Sequence, residues 1–365
     1  MAVALAVLFV LLTAGEDDPA PDRPVDPQPV AKKPKPKRPA LSLERQVGQL
    51  LIMSFAETET PAYISRRLRG GEGGGVILFA NNVQTPTGLA AMTRAIQRAA
   101  GGGALIAVDQ EGGDIRSVPF AGPEASQAFL STPQAVTQSV TDAAVDLREV
   151  GVNVDLGPVA DVASPAGSIV SARAFPGDAQ QVSQLVQAAV RAHADERVGA
   201  TAKHFPGLGA ATTNTDDQAV TIETARTGLT ANDLMPFRAA IDARVPLVMA
   251  SHALYPALDP ASIASQSKLI LDDLLREEMG FEGAVVTDSI EAQSVLDRSS
   301  VAEAAEASIE SGADLILMTG AASWNQVYPV LLERARSDDE FRARVRAASN
   351  RVLALKRRLG LKVPR

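Results

Sequence analysis

Lys203 and the adjacent His204, the aspartates Asp109, Asp155, Asp161 and Asp288, and the pair Ser251–His252 each stand at or beside the end of a short apolar run. Carboxylates accept hydrogen bonds, whereas lysine and a protonated histidine only donate them. Brought to one rim, such a set suits a polar ligand rich in hydroxyl groups. The three histidines, His193, His204 and His252, lack the i, i+4 spacing of a helix-borne metal pair. Cysteine is absent, which removes thiol chemistry, disulfides, thiolate-bound zinc and a lipid-modified cysteine. The expected chemistry uses neither metal nor cofactor.

The elements that position these residues can be read from the hydropathy pattern. Eight runs stand out: 47-VGQLLIMSF-55, 75-GVILFA-80, 103-GALIAVD-109, 152-VNVDLGPV-159, 200-ATAKHF-205, 246-PLVMASH-252, 283-GAVVTD-288 and 313-ADLILMT-319. They are apolar on successive residues rather than alternately, the mark of strands buried on both faces of a parallel sheet. Helix-like stretches lie between them, such as 132–151 with a Thr cap, an early Pro and a terminal Gly, then 178–196 and 230–243. Eight strand-then-helix units predict an α/β fold, a (β/α)8 TIM-type barrel forming a single domain over 41–365. A doubly wound open sheet is the alternative, because strand count alone does not show closure. The stretch 339–361 predicts a closing helix on the outside of the barrel. In such barrels the reactive groups gather where strands end and βα loops begin, where the residues named above all lie.

Composition sets the class. The chain has 365 residues, 46% of them hydrophobic, enough for one large core. Its net charge of −8 opposes a nucleic-acid partner, which calls for a basic face. Residues 1–15, MAVALAVLFVLLTAG, are apolar but short for a bilayer span, with small residues at Ala14 and Gly15. Residues 16–40 are dense in proline and charge, a composition that stays extended. A signal peptide or membrane anchor, with a tether through residues 2–14, a disordered Pro-rich linker and then a folded domain is the expected order. It implies export, to the extracellular space or the cell envelope.

The segments 109-DQEGG-113, 173-RAFPGD-178, 203-KHFPGLG-209, 249-MASHALYP-256 and 285-VVTDS-289 are similar to the signatures of glycoside hydrolase family 3. The resemblance is strongest to the single-domain β-N-acetylhexosaminidases of that family, and it covers residues 41–365 with the motifs in order. It implies a retaining glycosidase acting on terminal β-linked N-acetylglucosamine in peptidoglycan-type or related glycans. By the same resemblance Asp288 matches the catalytic nucleophile, and Asp109, Arg173, Lys203 and His204 match sugar-binding residues. These are expected to line one pocket at the carboxyl ends of the strands. His252 reads as a packed histidine as readily as a ligand contact, and His193 as surface decoration in mid-helix.

The sequence departs from the family at the loop after KHFPG. The family's hexosaminidases carry an Asp-Ser-His triplet there, whose histidine is the general acid/base. A gap-free comparison with 203-KHFPGLGAATTNTDDQA-219 puts Leu208 at the motif's second histidine, Asn214 at the Asp and Asp216 at the catalytic histidine. Ser117 stands where the family tends to have Arg, with Arg116 one residue earlier. Two readings follow. In one, Asp216, or its neighbour Asp217, is the acid/base, as in glycosidases that work with two carboxylates. In the other, the barrel retains the sugar pocket without efficient turnover and acts as a cell-surface carbohydrate-binding protein. A β-glucosidase-like hydrolase of the same family is a third reading, and it expects a second carboxylate-bearing domain.

Overall fold

The computed structural model describes residues 41–164 and 167–363; the apolar segment 1–15 and the Pro-rich segment 16–40 lie outside the described residues. Eight strands follow one another along the chain: β1 Leu51–Met53, β2 Gly75–Ile77, β3 Leu105–Val108, β4 Val154–Asp155, β5 Thr201–Phe205, β6 Leu247–Ala250, β7 Ala284–Ser289 and β8 Leu315–Leu317. All neighbours pair in parallel, in the order β4-β3-β2-β1-β8-β7-β6-β5. The end strands meet through parallel bridges Val154↔Gly199 and Val159↔Lys203. Five backbone bonds cross this seam, from Asp155 to Gly199, Gly199 to Asn153, Thr201 to Gly157, Lys203 to Pro158 and Ala160 to Lys203. The sheet is therefore a (β/α)8 barrel rather than an open, doubly wound sheet.

Alternate residues explain why each strand reads as a continuous apolar run. Ile52, Ile77, Leu105, Ala107, Leu247, Met249, Val286 and Leu317 point into the barrel and pack on one another. Their neighbours Val76, Ile106, Val108, Val248, Val285 and Ile316 point outward and are covered by helices. Both faces are dry, so apolar residues prevail on both.

The helices follow the expected signals. Thr132 caps Pro133–Glu149 by accepting from the Ala135 N–H, and Asp178 caps Ala179–Asp195 through the Gln181 N–H. Two boundaries differ from the reading of the sequence. The run 47–55 is divided: Leu43–Gln49 is a short helix capped by Ser42, and only Leu51–Met53 is strand. Val47 and Leu50, three residues apart, are both buried on that turn. The closing helix, Asp339–Arg358, does more than cover the outside. Phe341, Val345 and Ala348 join the outer shell, while Val352 and Leu355 reach the inner cluster and close the bottom of the barrel. Among the described residues, no helix is long and apolar enough to cross a membrane.

Candidate active site

Beyond β3 the chain makes a small hairpin, Gln110–Gly112 against Ile115–Arg116. The Gln110 side chain staples it, donating to the carbonyls of Val118, Ala121 and Gly122 and accepting from the Val118 N–H. Gly112 has φ +96, and a Cβ there would meet the Ala125 carbonyl at 2.2 Å, so only glycine fits. With Gln110 turned one way, Asp109 and Glu111 are left on the opposite side, two residues apart.

Those two acids hold the cations. Lys203 Nζ lies 2.7 Å from Asp109 Oδ1 and 2.6 Å from Glu111 Oε1. Arg173 grips Glu111 with both forks, Nε to Oε2 at 2.7 Å and Nη2 to Oε1 at 2.6 Å. Burial raises the Glu111 carboxyl, but Lys203 and Arg173 outweigh it and hold it at about 2. Burial likewise raises Asp109, beyond what Lys203 offsets, with the Glu111 charge adding to the rise. Burial acts against the charge on Lys203, and the two acids more than restore it.

His204 follows Lys203 on β5. Its Nδ1 lies 2.7 Å from Asp161 Oδ2, while Asp161 Oδ1 accepts from the backbone N–H groups of His204 at 3.1 Å and Leu208 at 2.7 Å. A carboxylate accepts only, so Nδ1 carries the proton and Nε2 is left facing Asp288 Oδ2 at 4.0 Å. Asp288 ends β7. Burial pushes its carboxyl up, but His204, His252, the Ser289 N–H and Lys203 together bring it below the usual carboxylate value. The Ser289 N–H donates to Asp288 Oδ1 at 2.8 Å. His252 is fully buried behind this turn, with Nε2 donating to the Ser289 carbonyl and Nδ1 against the Ser265 hydroxyl. It is a packed histidine, lowered by burial, and does not line the cavity.

Asp109, Asp216 and Asp288 share a cavity of about 380 Å³. Ile77, Met249 and Leu317 form its apolar floor, and Ser289, Glu291 and Thr319 one wall. Asp216 sits at the exposed rim, within a turn held by Asn214 and tied to the segment after Asp288. Asn214 Nδ2 donates to its carboxylate at 3.2 Å, Gln293 N to its carbonyl and Ser294 N to that of Thr215. The protein packed around its inner side raises the Asp216 carboxyl, and the Asp288 charge raises it further. Asp217 does not line the cavity. Lys203, His204 and Arg173 stand directly behind Asp109, Glu111 and Asp288 rather than on the cavity wall.

Several assignments change. Asp155 is not on the rim: its Oδ1 accepts from the Gln110 N–H and its Oδ2 lies 3.0 Å from His193 Nε2. His193 is therefore not surface decoration but a buried partner, 3% exposed, that steadies the hairpin from behind. Arg116 bonds to the Gly113 carbonyl and does not reach the cavity. Glu111 and Glu291 were passed over in the sequence. For Glu111 the signal was present, since in DQEGG it lies two residues from Asp109 and so on the same side. Glu291 had none: its partners Ser289, Thr319 and Ser323 come together only when β7 and β8 pair.

The chain and its fold have clear counterparts among known proteins. Residues 42–355 match the glycosyl hydrolase family 3 N terminal domain. An uncharacterized secreted glycosyl hydrolase of Arthroderma benhamiae is 32% identical over 339 residues, 88% of this chain and 95% of its own length. A β-hexosaminidase of Nitrosomonas eutropha is 32% identical over 262 residues, 67% of this chain and 73% of its own. A family 3 β-N-acetylglucosaminidase from Paenibacillus superposes with a TM-score of 0.83 at 30% identity over 88% of this chain, which spans 63% of that enzyme's length. A β-N-acetylhexosaminidase from Beutenbergia cavernae does so with a TM-score of 0.79 at 30% identity, over 87% of this chain and 99% of its own. Sequence and fold agree, and the chain belongs to glycosyl hydrolase family 3.

Proposed function

We propose that the protein is a retaining β-N-acetylhexosaminidase that removes terminal β-linked N-acetylglucosamine from peptidoglycan-type or related glycans. The observation that carries this reading is two carboxylates with different surroundings in one cavity: Asp288 beside His204 and the Ser289 N–H, which favour its charge, and Asp216 on the rim facing that charge. Such a pair divides the labour of nucleophile and acid. Asp288 attacks the anomeric carbon as the glycosidic bond breaks, and the leaving oxygen takes the proton from Asp216. Asp216, now a carboxylate, then removes a proton from water. The water oxygen bonds to the anomeric carbon, releasing Asp288 and leaving Asp216 protonated again. Asp109 accepts from sugar hydroxyls, while Lys203, Arg173 and His204 hold Asp109, Glu111 and Asp288 in place from behind. The relatives named as β-hexosaminidases support the choice of sugar.

Export is supported by the apolar segment 1–15 with its Pro-rich spacer, and by the relative named as secreted. The deciding assay uses the purified protein on aryl β-N-acetylglucosaminide, with aryl β-glucoside beside it. Asp288→Ala is expected to abolish turnover. Asp216→Ala is expected to slow a poor leaving group far more than an activated one, with azide restoring deglycosylation. Sugar binding without turnover in the wild type would mark a carbohydrate-binding protein instead, and preference for the glucoside would move the protein within its family.

A further inference from the structure

A second cavity of about 380 Å³ lies between the helices Ala62–Gly70 and Pro86–Ala99, on the loops that follow β1 and β2. Gly88, Ala91 and Ala95, spaced three and four apart on one helix face, leave the room for it. Its walls carry the hydroxyls of Thr58 and Ser65, the amide of Gln84 and the carboxylate of Glu59. Among the described residues these four side chains make no hydrogen bond or ion pair, so their donors and acceptors are available to a ligand. No Lys, Arg or His lines the groove.

The groove adjoins the candidate active site. Phe79 lines the first cavity and Asn82 the second, and the 3₁₀ turn Ala80–Asn82 is the crest between them. Asn82 makes that crest rigid: its Oδ1 accepts from the Phe79 N–H at 2.8 Å, and its Nδ2 donates to the carbonyls of Phe55 and Glu57. Three 3₁₀ residues rise about 6 Å in all, on the order of one sugar ring. Ala80 and Asn81 are exposed and leave the crossing open. The half-buried Phe79 ring offers an apolar face to a pyranose on the near side.

We infer that this groove is a second carbohydrate site, receiving the reducing-side sugars of a neutral, N-acetylated oligosaccharide whose terminal unit occupies the Asp288 cavity. The inference rests on the proposed glycosidase reading and narrows its substrate class. Hydroxyls and an amide match the mixed donors and acceptors of N-acetylglucosamine units. A ligand bearing carboxylates, such as a lactyl ether or an acidic stem peptide, would face Glu59 in a groove that no Lys, Arg or His lines.

The test compares β-1,4-linked N-acetylglucosamine oligomers of two and four units with N-acetylglucosaminyl-1,6-anhydro-N-acetylmuramic acid. In the wild type, kcat/KM is expected to rise roughly tenfold from dimer to tetramer, equivalent to about 1.4 kcal/mol. The anhydromuramyl substrate is expected to fall below the tetramer. Ala91→Trp fills the groove and is expected to bring the tetramer-to-dimer ratio close to one; Thr58→Ala with Gln84→Ala is expected to lower it. These ratios are internal to each variant, so partial loss of folded protein does not disturb them. A ratio near one in the wild type, a ratio that survives Ala91→Trp, or preference for the anhydromuramyl substrate overturns the inference. Calorimetry of the tetramer on Asp288→Asn separates the two readings. If aryl N-acetylglucosaminide is not hydrolysed, the glycosidase reading fails, yet tetramer binding that Ala91→Trp abolishes still supports the groove. Absence of tetramer binding overturns it.

Discussion

The Nε2 of His204 faces Asp288 Oδ2 at 4.0 Å, and what aims it there is the other side of the ring, where Nδ1 lies 2.7 Å from Asp161 Oδ2. Asp161 is wholly buried and also accepts two backbone N–H groups, from His204 and Leu208. It therefore sets ring orientation and loop path together.

Asp161→Ala removes the acceptor for three buried donors. Each such orphan costs about 1–3 kcal/mol, so a loss of at least about 3 kcal/mol is expected in urea unfolding, with a fall in kcat. Asp161→Asn retains one acceptor oxygen and is expected to lie between. A loss under about 1 kcal/mol for the alanine variant would show that this carboxylate does not hold the loop.

Glu111 is expected to act on binding without touching the sugar. Its side chain is 1% exposed and joins Lys203 to Arg173. Glu111→Gln leaves two cations sharing a neutral amide, and breaking a buried pair costs about 3–5 kcal/mol. The same variant is expected to raise KM for aryl N-acetylglucosaminide by loosening both cations. An unchanged KM in folded variant protein would remove Glu111 from the positioning of the site.

The pH profile follows from the two displaced carboxyls. Turnover needs Asp288 ionised and Asp216 protonated. Asp288 lies below its ordinary 3.8 and Asp216 above it, so kcat/KM is expected to rise with pH through the first and fall through the second. On an activated aryl substrate Asp216→Asn is expected to remove the falling limb. Persistence of that limb in the variant would assign the proton to another group, His204 being the nearest candidate to Asp288.

Lys356 predicts a second pH effect, on stability. It is 1% exposed, donates to Gln49 Oε1 and the Gly74 carbonyl, and burial lowers it from 10.5 to about 7. Between those values the unfolded chain binds a proton that the folded chain does not. Its contribution to stability is thus fully present above 10.5, lost as pH falls, and level below about 7. Urea unfolding at pH 7 and pH 9.5 is expected to show a rise of a few kcal/mol in the wild type, on the order given by about 1.4 kcal/mol per unit. Lys356→Met is expected to lack that increment. Equal slopes in the two proteins would mean that Lys356 keeps its charge in the fold.

The amino-acid sequence by itself determined the eight buried strands and the ends at which chemistry collects, while closure into a barrel was decided by the bridges between β4 and β5. A residue's hydropathy and that of its neighbours report burial on one or both faces, and this information is local. The short motifs ending in Asp109, Lys203–His204 and Asp288 could be read for the same reason, each being a few residues long. Local pattern could not divide 47–55 between a helix and a strand, because both bury Val47 and Leu51. Nor could it say which partner each polar residue takes. The pairing of Arg173 with Glu111 spans 62 positions and that of Lys203 with Asp109 spans 94. Asp155 is written at a strand end like the others, yet it faces His193 behind the sheet instead of the cavity. Those choices depend on strand register and on which way each side chain points, and register is decided only when all eight strands close.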